Sequence, residues 1–286
     1  MKRCDIRKLL VVDNNSSDTT AEIVQAYQSQ WSQLRYCLER QQGAAFARHR
    51  GVQEAQSEWV GLLDDDTLPD SNWVAETWAF AQTHDQTGAF SGQISGQFET
   101  PPPEGFKRIR SFLAIRERGH TPHLYNPETL VLPPAAMLVV HRQAWLTSVP
   151  AQPLMKGRLG DSMLGGEDFE VLLHMHQQGW QIWYAPSVKA SHYIPSWRLE
   201  RSYLLSLIQG ASLTIAPLRL MYTPFWKKGI VGARIVLGNL KRLIVHSFKY
   251  RHQLRRDVVV DCEMAFFFWS MLSPFYALKL ALRWRT

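Results

Sequence analysis

Cysteine is scarce in this 286-residue chain. Cys4, Cys37 and Cys262 are odd in number, widely separated and without a CxxC pair. That excludes a disulfide framework and a thiolate zinc site, and it suits a reducing compartment. Internal repeats, low-complexity tracts and Gly/Ser linkers are absent too, so one large core or two modest ones must account for 33.0 kDa. Met1–Asp5 leads within a few residues into an apolar strand and has no signal-peptide pattern. No uncharged run reaches the ~20 residues that span a bilayer; Met264 to Leu278 has 15 and contains Pro274. Acidic residues are few in the C-terminal quarter. Residues 219–286 carry 13 Lys/Arg against 3 Asp/Glu, whereas residues 1–218 sum to −3. Such a basic tail suits an anionic membrane surface or a nucleic acid.

What the chain does have is a run of three carboxylates, Asp64-Asp65-Asp66, between Trp59-Val60-Gly61-Leu62-Leu63 and Thr67-Leu68-Pro69-Asp70. The apolar run reads as a buried strand and Pro69 as its exit, so the acids stand at a strand's carboxyl end, where open α/β sheets bind ligands. Two carboxylates about 4 Å apart repel by roughly 4 kcal/mol at an effective dielectric near 20. A shared cation relieves that cost, and hard oxygen ligands on a short loop suit Mg²⁺ or Mn²⁺ with a phosphate-bearing partner. The alternative is a solvated turn capping the next helix, a task that Asp70-Ser71 can perform without the triplet.

Strands and helices alternate around the triplet. Leu9–Asp13 reads as a strand, followed by the turn Asn14-Asn15-Ser16-Ser17-Asp18 and a helix carrying Ala21, Ile23, Val24 and Tyr27. A strand near Arg35–Glu39, a loop at Gly43 and a helix over Ala44–Ala55 come next. Then follow the acid-bearing strand 58–63 and a helix at Trp73–Ala81. The alternation predicts a parallel, doubly wound sheet. Residues 98–133, with six prolines, read as an excursion from the sheet. Strand character returns at Met137–Val140, a helix spans Glu167 to about Gln178, and Trp180–Ala185 reads as a strand ended by Pro186, with Val188–Ser191 as its neighbour. From about residue 199 the pattern becomes helical, basic and rich in Leu, Ile, Phe and Trp. It predicts an amphipathic helix in a membrane interface, anchored by Phe266, Phe267, Phe268, Trp269, Phe275 and Tyr276, or helices packed on the α/β body.

Other segments can be read with the triplet. Asp13 and Asn14 end a strand on the same sheet edge and suit a nucleobase or ribose, or a turn and cap. Arg48 lies at the second strand–helix junction and could meet a diphosphate or lie on the surface. Glu167-Asp168 begins a helix after two glycines, as a cap or as a placed general base. His192 suits a metal shell or a structural role. Trp197 and Arg198 could stack on and hydrogen-bond a sugar, or simply pack.

Together, Val11-Val12-Asp13-Asn14-Asn15-Ser16-Ser17-Asp18, Gly43 to Gly51 with Ala47-Arg48, Leu62-Leu63-Asp64-Asp65-Asp66, Gly166-Glu167-Asp168 and His192 resemble family 2 glycosyltransferases, over about residues 5–200. Gly43-Ala44-Ala45-Phe46-Ala47-Arg48, Ile194-Pro195-Ser196-Trp197-Arg198-Leu199-Glu200 and Ser273-Pro274-Phe275-Tyr276 resemble a cyanobacterial subgroup of hormogonium polysaccharide biosynthesis.

The resemblance implies a GT-A fold, an α/β architecture with a mostly parallel, Rossmann-like sheet over residues 1–198 and a basic helical region over 199–286. It implies an inverting transfer from a nucleotide-diphospho-sugar to a glycan or lipid-linked glycan in exopolysaccharide synthesis, at the cytoplasmic face of a membrane and without nucleic acid. Asp13, Asn14, Arg48, Asp64 and Asp65 would bind the donor. Asp66, Asp64 and His192 would hold Mg²⁺ or Mn²⁺. Asp168 would be the base, with Glu167, Trp197 and Arg198 toward the acceptor. It also implies a central first strand with a Pro-x-Tyr-Asn-like loop, about 30 residues upstream of the Asp13 segment, that this sequence does not contain. A catalytically impaired scaffold in a polysaccharide complex is therefore the competing expectation. A metal-dependent phosphodiesterase or nuclease is a third, disfavoured because the tail interleaves its charges with bulky aliphatics.

Overall fold

The structure is a computed structural model that describes residues 8–160 and 162–283. Two βα units come first: β1 (Leu9–Asp13) and α1 (Thr20–Gln28), then β2 (Leu34–Leu38) and α2 (Ala44–Glu54). β1 and β2 pair in parallel with Leu9 opposite Leu34 and Asp13 opposite Leu38. Local chemistry explains the turn after β1: the Asp13 carboxylate accepts from Ser16 N (2.8 Å), and Asp18 accepts from Thr20 N (3.0 Å) as α1 begins.

A second, larger sheet is built from β3 (Trp59–Leu63), β4 (Thr67–Pro69), β5 (Thr87–Phe98), β6 (His123–Leu124), β7 (Met137–His141) and β8 (Gln181–Ile194). Its strand order is β3-β7-β5-β8-β4, with β6 added against β8. Only β5 and β8 run parallel in it; β3 with β7, β5 with β7, and β4 and β6 with β8 are antiparallel. The expected mostly parallel sheet is thus a mixed one, because β7 enters between β3 and β5 in the opposite direction.

Two strand expectations are corrected. Pro186 does not end the strand after Ala185. β8 continues to Ile194, and the register passes from Gly92 opposite Ala185 directly to Gln93 opposite Lys189. Pro186 therefore sits in a bulge, where its missing N–H breaks no ladder bond. β3 is half-buried rather than buried. Among the described residues β3 pairs only with β7 and β1 only with β2, so each presents a free edge. Both edges line one cavity of about 2180 Å³.

Helices α3 (Trp73–Ala81), α4 (Arg142–Ser148) and α5 (Glu167–Gln177) cover the sheet. Trp145, Leu172, Met175, Ile182 and Tyr184 fill the core beneath α4 and α5. The stretch 98–133 forms turns of 3-10 helix, as an excursion should. The chain then continues as α6 (Arg201–Leu213), α7 (Ile215–Leu220), α8 (Phe225–Lys249) and α9 (Val258–Arg283). Of these, α6 and α9 share a core with the excursion: Leu204, Leu207, Val259 and Cys262 pack with Phe106, Ile109 and Leu113.

Pro274 does not interrupt α9. The carbonyl it leaves without an N–H partner, that of Ser270, accepts instead from Ser273 Oγ at 2.6 Å. By length and composition Arg201–Leu220 and Val258–Leu282 could each cross a membrane, although half of the first window and 39% of the second are buried inside the protein. Of the six aromatic anchors expected on α9, Phe268 and Phe275 are exposed. Phe266 packs edge-on to Phe112 and Phe267 to His246.

Candidate active site

The triplet forms the turn between β3 and β4, closed by Thr67 N donating to the Asp64 carbonyl (3.0 Å). Asp70 accepts from Asn72 N (3.1 Å) in the turn that leads into α3, so the polar contact nearest that helix start is made by Asp70 and not by the triplet. The β4–β8 register sets Thr67 opposite His192, and Tyr193 N donates to the Asp66 carbonyl (2.8 Å). Strand pairing therefore brings Asp66 and His192 together from distant parts of the chain.

Three expected residues meet there. Asp66 Oδ2 lies 2.6 Å from Arg198 Nη1 and 3.2 Å from His192 Nε2. His192 Nδ1 is 2.8 Å from the Leu113 carbonyl, which can only accept, so Nδ1 carries a proton and the ring is oriented with Nε2 toward Asp66. Burial raises the Asp66 pKa, but hydrogen bonding and charge from His192, then from Arg198, overcome it and hold the carboxyl at about 2. Asp66 Oδ1 is buried without a partner. An orphaned carboxylate oxygen beside an oriented imidazole fits a divalent cation, since such ions take one or two protein ligands and complete their shell with phosphates and water.

Asp64 does not join that pair. Its Oδ1 accepts from Arg48 Nη2 (3.0 Å), while Arg48 Nη1 donates to Glu167 Oε1 (3.2 Å). Among the described residues no three His, Cys, Asp or Glu side chains gather as a metal cluster: of the expected Asp64, Asp66 and His192, the last two meet, while Asp64 turns to Arg48. Burial alone would lower the Arg48 pKa, but Asp64, Glu167 and Asp168 together raise it beyond its ordinary value. Asp65 is exposed on the cavity wall.

Asp168 opens α5 after Gly166, whose φ of +98° and close neighbours Thr214 and Leu218 admit only glycine at low strain. Asp168 Oδ2 accepts from Ala135 N (3.2 Å). Burial, then the nearby Glu167 charge, push its pKa up to about 6, against the opposing pull of Arg48. A carboxylate held near neutrality is a suitable proton acceptor. Glu167 Oε2 is buried and unpaired beside it.

At the far end of the cavity Asp13 is buried, its Oδ2 accepting from Tyr36 Oη (2.6 Å). The Tyr36 bond, then Ser16, hold its pKa below the usual carboxylate range despite burial. Asn14 is committed inside the protein. It donates to the Glu39 and Gln41 carbonyls (3.1 and 2.6 Å) and accepts from Gly43 N (2.6 Å), tying the first two strand-end loops together. Its side chain thus has a structural use. Trp197, 50% exposed, packs edge-on to Tyr203 and is not on the cavity wall. Arg198 is on it and pairs with Asp66.

Two residues in the wall escape sequence reasoning. Arg116 is bonded to the Ser111 and Ile115 carbonyls (2.8 and 3.1 Å), and burial lowers its pKa while Tyr125 and Asp168 oppose that. Arg158 stands in the same wall. Neither lies in a motif; both come from loops whose course only the fold reveals.

Known proteins resemble the chain in part of its sequence and in its fold. Glycosyltransferase AglE of Haloferax volcanii is 34% identical over 68 residues, 23% of this chain and 22% of the relative. The solved mannosyltransferase PcManGT from Pyrobaculum calidifontis, in complex with GDP-Man and Mn2+, superposes with a TM-score of 0.52 at 16% identity, over 96% of this chain and 66% of that one. GalNAc-T7 with UDP, GalNAc and Mn2+ gives 0.50 at 16% identity, over 72% and 42%. The chain thus spans less than two thirds of each of these proteins. The fold is the GT-A fold, and residues 4–141, which carry Asp13, Arg48 and the acid triplet, match the model of Glycosyl transferase family 2.

Proposed function

We propose that the chain is an inverting glycosyltransferase, moving a sugar from a nucleotide-diphospho-sugar to a hydroxyl of a glycan or lipid-linked glycan in cell-surface polysaccharide synthesis. The observation that carries this reading is the meeting, in one cavity, of a base poised near pH 6 with a cation nook that has an orphaned oxygen. The relatives that bind GDP-Man or UDP with Mn2+ support a nucleotide donor and a divalent cation.

Asp66 and His192 would hold Mg²⁺ or Mn²⁺. When bound, the cation supplies charge that stabilises the departing nucleoside diphosphate. Asp168, fixed by Ala135 N, takes the proton of the acceptor hydroxyl as its oxygen attacks the sugar, and one displacement inverts the centre. Arg48 keeps Asp64 and Glu167 from repelling each other beside that base. Asp13, at the end of β1, borders the nucleoside side of the cavity. Titration calorimetry with UDP and GDP in Mn²⁺ or Mg²⁺ tests the reading, together with a donor-panel transfer assay. Cation-dependent binding of one nucleotide is expected, and binding of neither, in a chain extended to fill the β1–β3 gap, would overturn it.

A second reading has its own observation. The free edges of β1 and β3 face one cavity far larger than the 300–1,000 Å³ or so of an ordinary ligand pocket. We infer that a further strand belongs between them, as the family resemblance also implies. A chain whose β1–β3 gap stayed open would be an impaired transferase serving as a scaffold. Donor hydrolysis or sugar transfer by the 286-residue chain, lost in Asp168→Asn, would rule the scaffold out.

A further inference from the structure

The helix α8 has two contrasting faces. Its inner face is set by Ile235, Asn239 and His246, which are buried. His246 Nε2 lies 3.0 Å from the Val260 carbonyl and Ser247 Oγ 3.8 Å from Met264 Sδ, both on α9. At about 100° per residue the opposite face carries Trp226, Ile230, Ala233, Leu237, Leu240, Ile244 and Phe248, spaced three or four residues apart. All seven are exposed, Trp226 by 70% and Phe248 by 75%, and Phe225 at the helix start by 89%. Over 22 residues the stripe is about 33 Å long.

Its flank is basic. Lys227, Arg234 and Lys241 run along one side of the stripe, and all are exposed. No Asp or Glu occurs between Arg201 and Arg256. Among the described residues, none of the six Lys and Arg of α8 forms an ion pair; the Lys227 ammonium lies 4.6 Å from the Trp226 ring centroid. Isolated apolar residues on a surface need no explanation, but a continuous row of them does.

We infer that the outer face of α8 docks onto an anionic lipid bilayer, lying in the interface with its apolar stripe inserted and its cations on the headgroups. Charge selects this occupant. Two copies pairing through the stripe would set Lys227, Arg234 and Lys241 against the same residues, with no carboxylate on α8 between them. A bilayer of acidic lipid supplies both an apolar layer and the missing negative charge. The inference is independent of the transferase reading.

Cosedimentation of the full chain with vesicles of phosphatidylcholine alone, and with one third phosphatidylglycerol, tests it. Binding to the mixed vesicles is expected, salt-sensitive and accompanied by a fluorescence blue shift that Trp226→Phe diminishes. Leu237→Glu with Phe248→Glu should reduce binding at least about tenfold. Lys227→Gln, Arg234→Gln and Lys241→Gln together should remove the preference for acidic lipid, at roughly fivefold per cation. All five positions are exposed, so unchanged melting curves would show that the fold persists. Failure of the native chain to bind acidic vesicles would overturn the inference. So would a dimer seen by light scattering that Leu237→Glu dissociates while vesicle binding is unaltered.

Discussion

Two nooks flank the acid triplet, and they solve the same electrostatic problem differently. Around Arg48, one guanidinium serves Asp64 and Glu167 directly and lies within the field of Asp168. Around Asp66, one carboxylate is shared by Arg198 and His192. The first nook has a surplus of negative charge, which buries poorly and pushes the Asp168 pKa up. In the second, hydrogen bonding and charge from His192 and Arg198 hold Asp66 ionised, and Oδ1 is left without a partner. In the proposed reaction the surplus would tune the base and the orphaned oxygen would make room for a cation. One short turn would then feed two chemistries, because its first and third acids diverge.

The widest break of this contrast is Asp168→Asn. Transfer should fall by roughly 10²–10⁴, the value of a positioned base, with nucleotide binding retained. In the native chain the rate should rise with pH through about 6, as Asp168 loses its proton. Stability should move the other way. The folded pKa is raised from 3.8 to about 6, so the folded state holds the proton more tightly and loses stability as pH climbs through that window. The amide of the variant carries no such proton. The gap in melting temperature between the two proteins should therefore shift in the variant's favour from pH 4 to pH 7, and a gap that stays constant would mean that Asp168 has an ordinary pKa.

Arg48→Met comes next. It strands Asp64 and Glu167 against each other and removes the charge that restrains Asp168. Removing one partner of a buried pair costs about 3–5 kcal/mol, and Asp64 is partly exposed, so about 3 kcal/mol is expected in urea unfolding. Arg198→Met should cost clearly less, because His192 remains beside Asp66. Equal losses would erase the distinction between the nooks.

Sequence patterning makes much of this legible, and the exceptions are instructive. β1, β2, α2, β3, α3 and α5 follow from apolar periodicity and from Gly, Asp and Pro at their ends. β5 does not, although it is the longest-paired neighbour of β8. Thr87-Gly88-Ala89-Phe90-Ser91-Gly92-Gln93 is too polar and glycine-rich to read as a core strand. Gly92 is required there because a Cβ would fall 1.8 Å from the Val188 carbonyl, a contact that only the pairing creates. The same holds in the site. Asp13, Asp66, Asp168 and His192 can be named from motifs, whereas the division of Asp64 to Arg48 and Asp66 to His192 depends on strand register. The three groups that satisfy Asn14 lie 25 to 29 residues away, beyond the reach of local pattern.

A narrower test is Asp66→Asn, which keeps the shape and removes the charge. Mn²⁺ affinity should fall by at least the ~10–100-fold that altering an outer partner costs at metal sites. Asp64→Asn should have a smaller effect on the metal and a larger one on stability, since its partner is Arg48. Calorimetry of both variants with Mn²⁺ alone separates the two acids without reference to turnover, and a greater loss in Asp64→Asn would reverse the assignment.

The finest effect concerns Arg198. Its Nη1 contacts Asp66 Oδ2 and His192 Nε2, so the guanidinium stands between the two residues that would hold a cation. Guanidinium and metal would therefore compete for the Asp66 charge and the His192 ring. A partly exposed ion pair is worth at most about 1 kcal/mol, so Arg198→Gln should tighten Mn²⁺ binding by up to about fivefold. Arg198 also has a buried Nε without a partner, so its present position is not well satisfied and moving away costs little. If Arg198→Gln instead weakens Mn²⁺ in the absence of nucleotide, the guanidinium supports the nook rather than occupying it. The second nook would then resemble the first, with a cation built in from the chain.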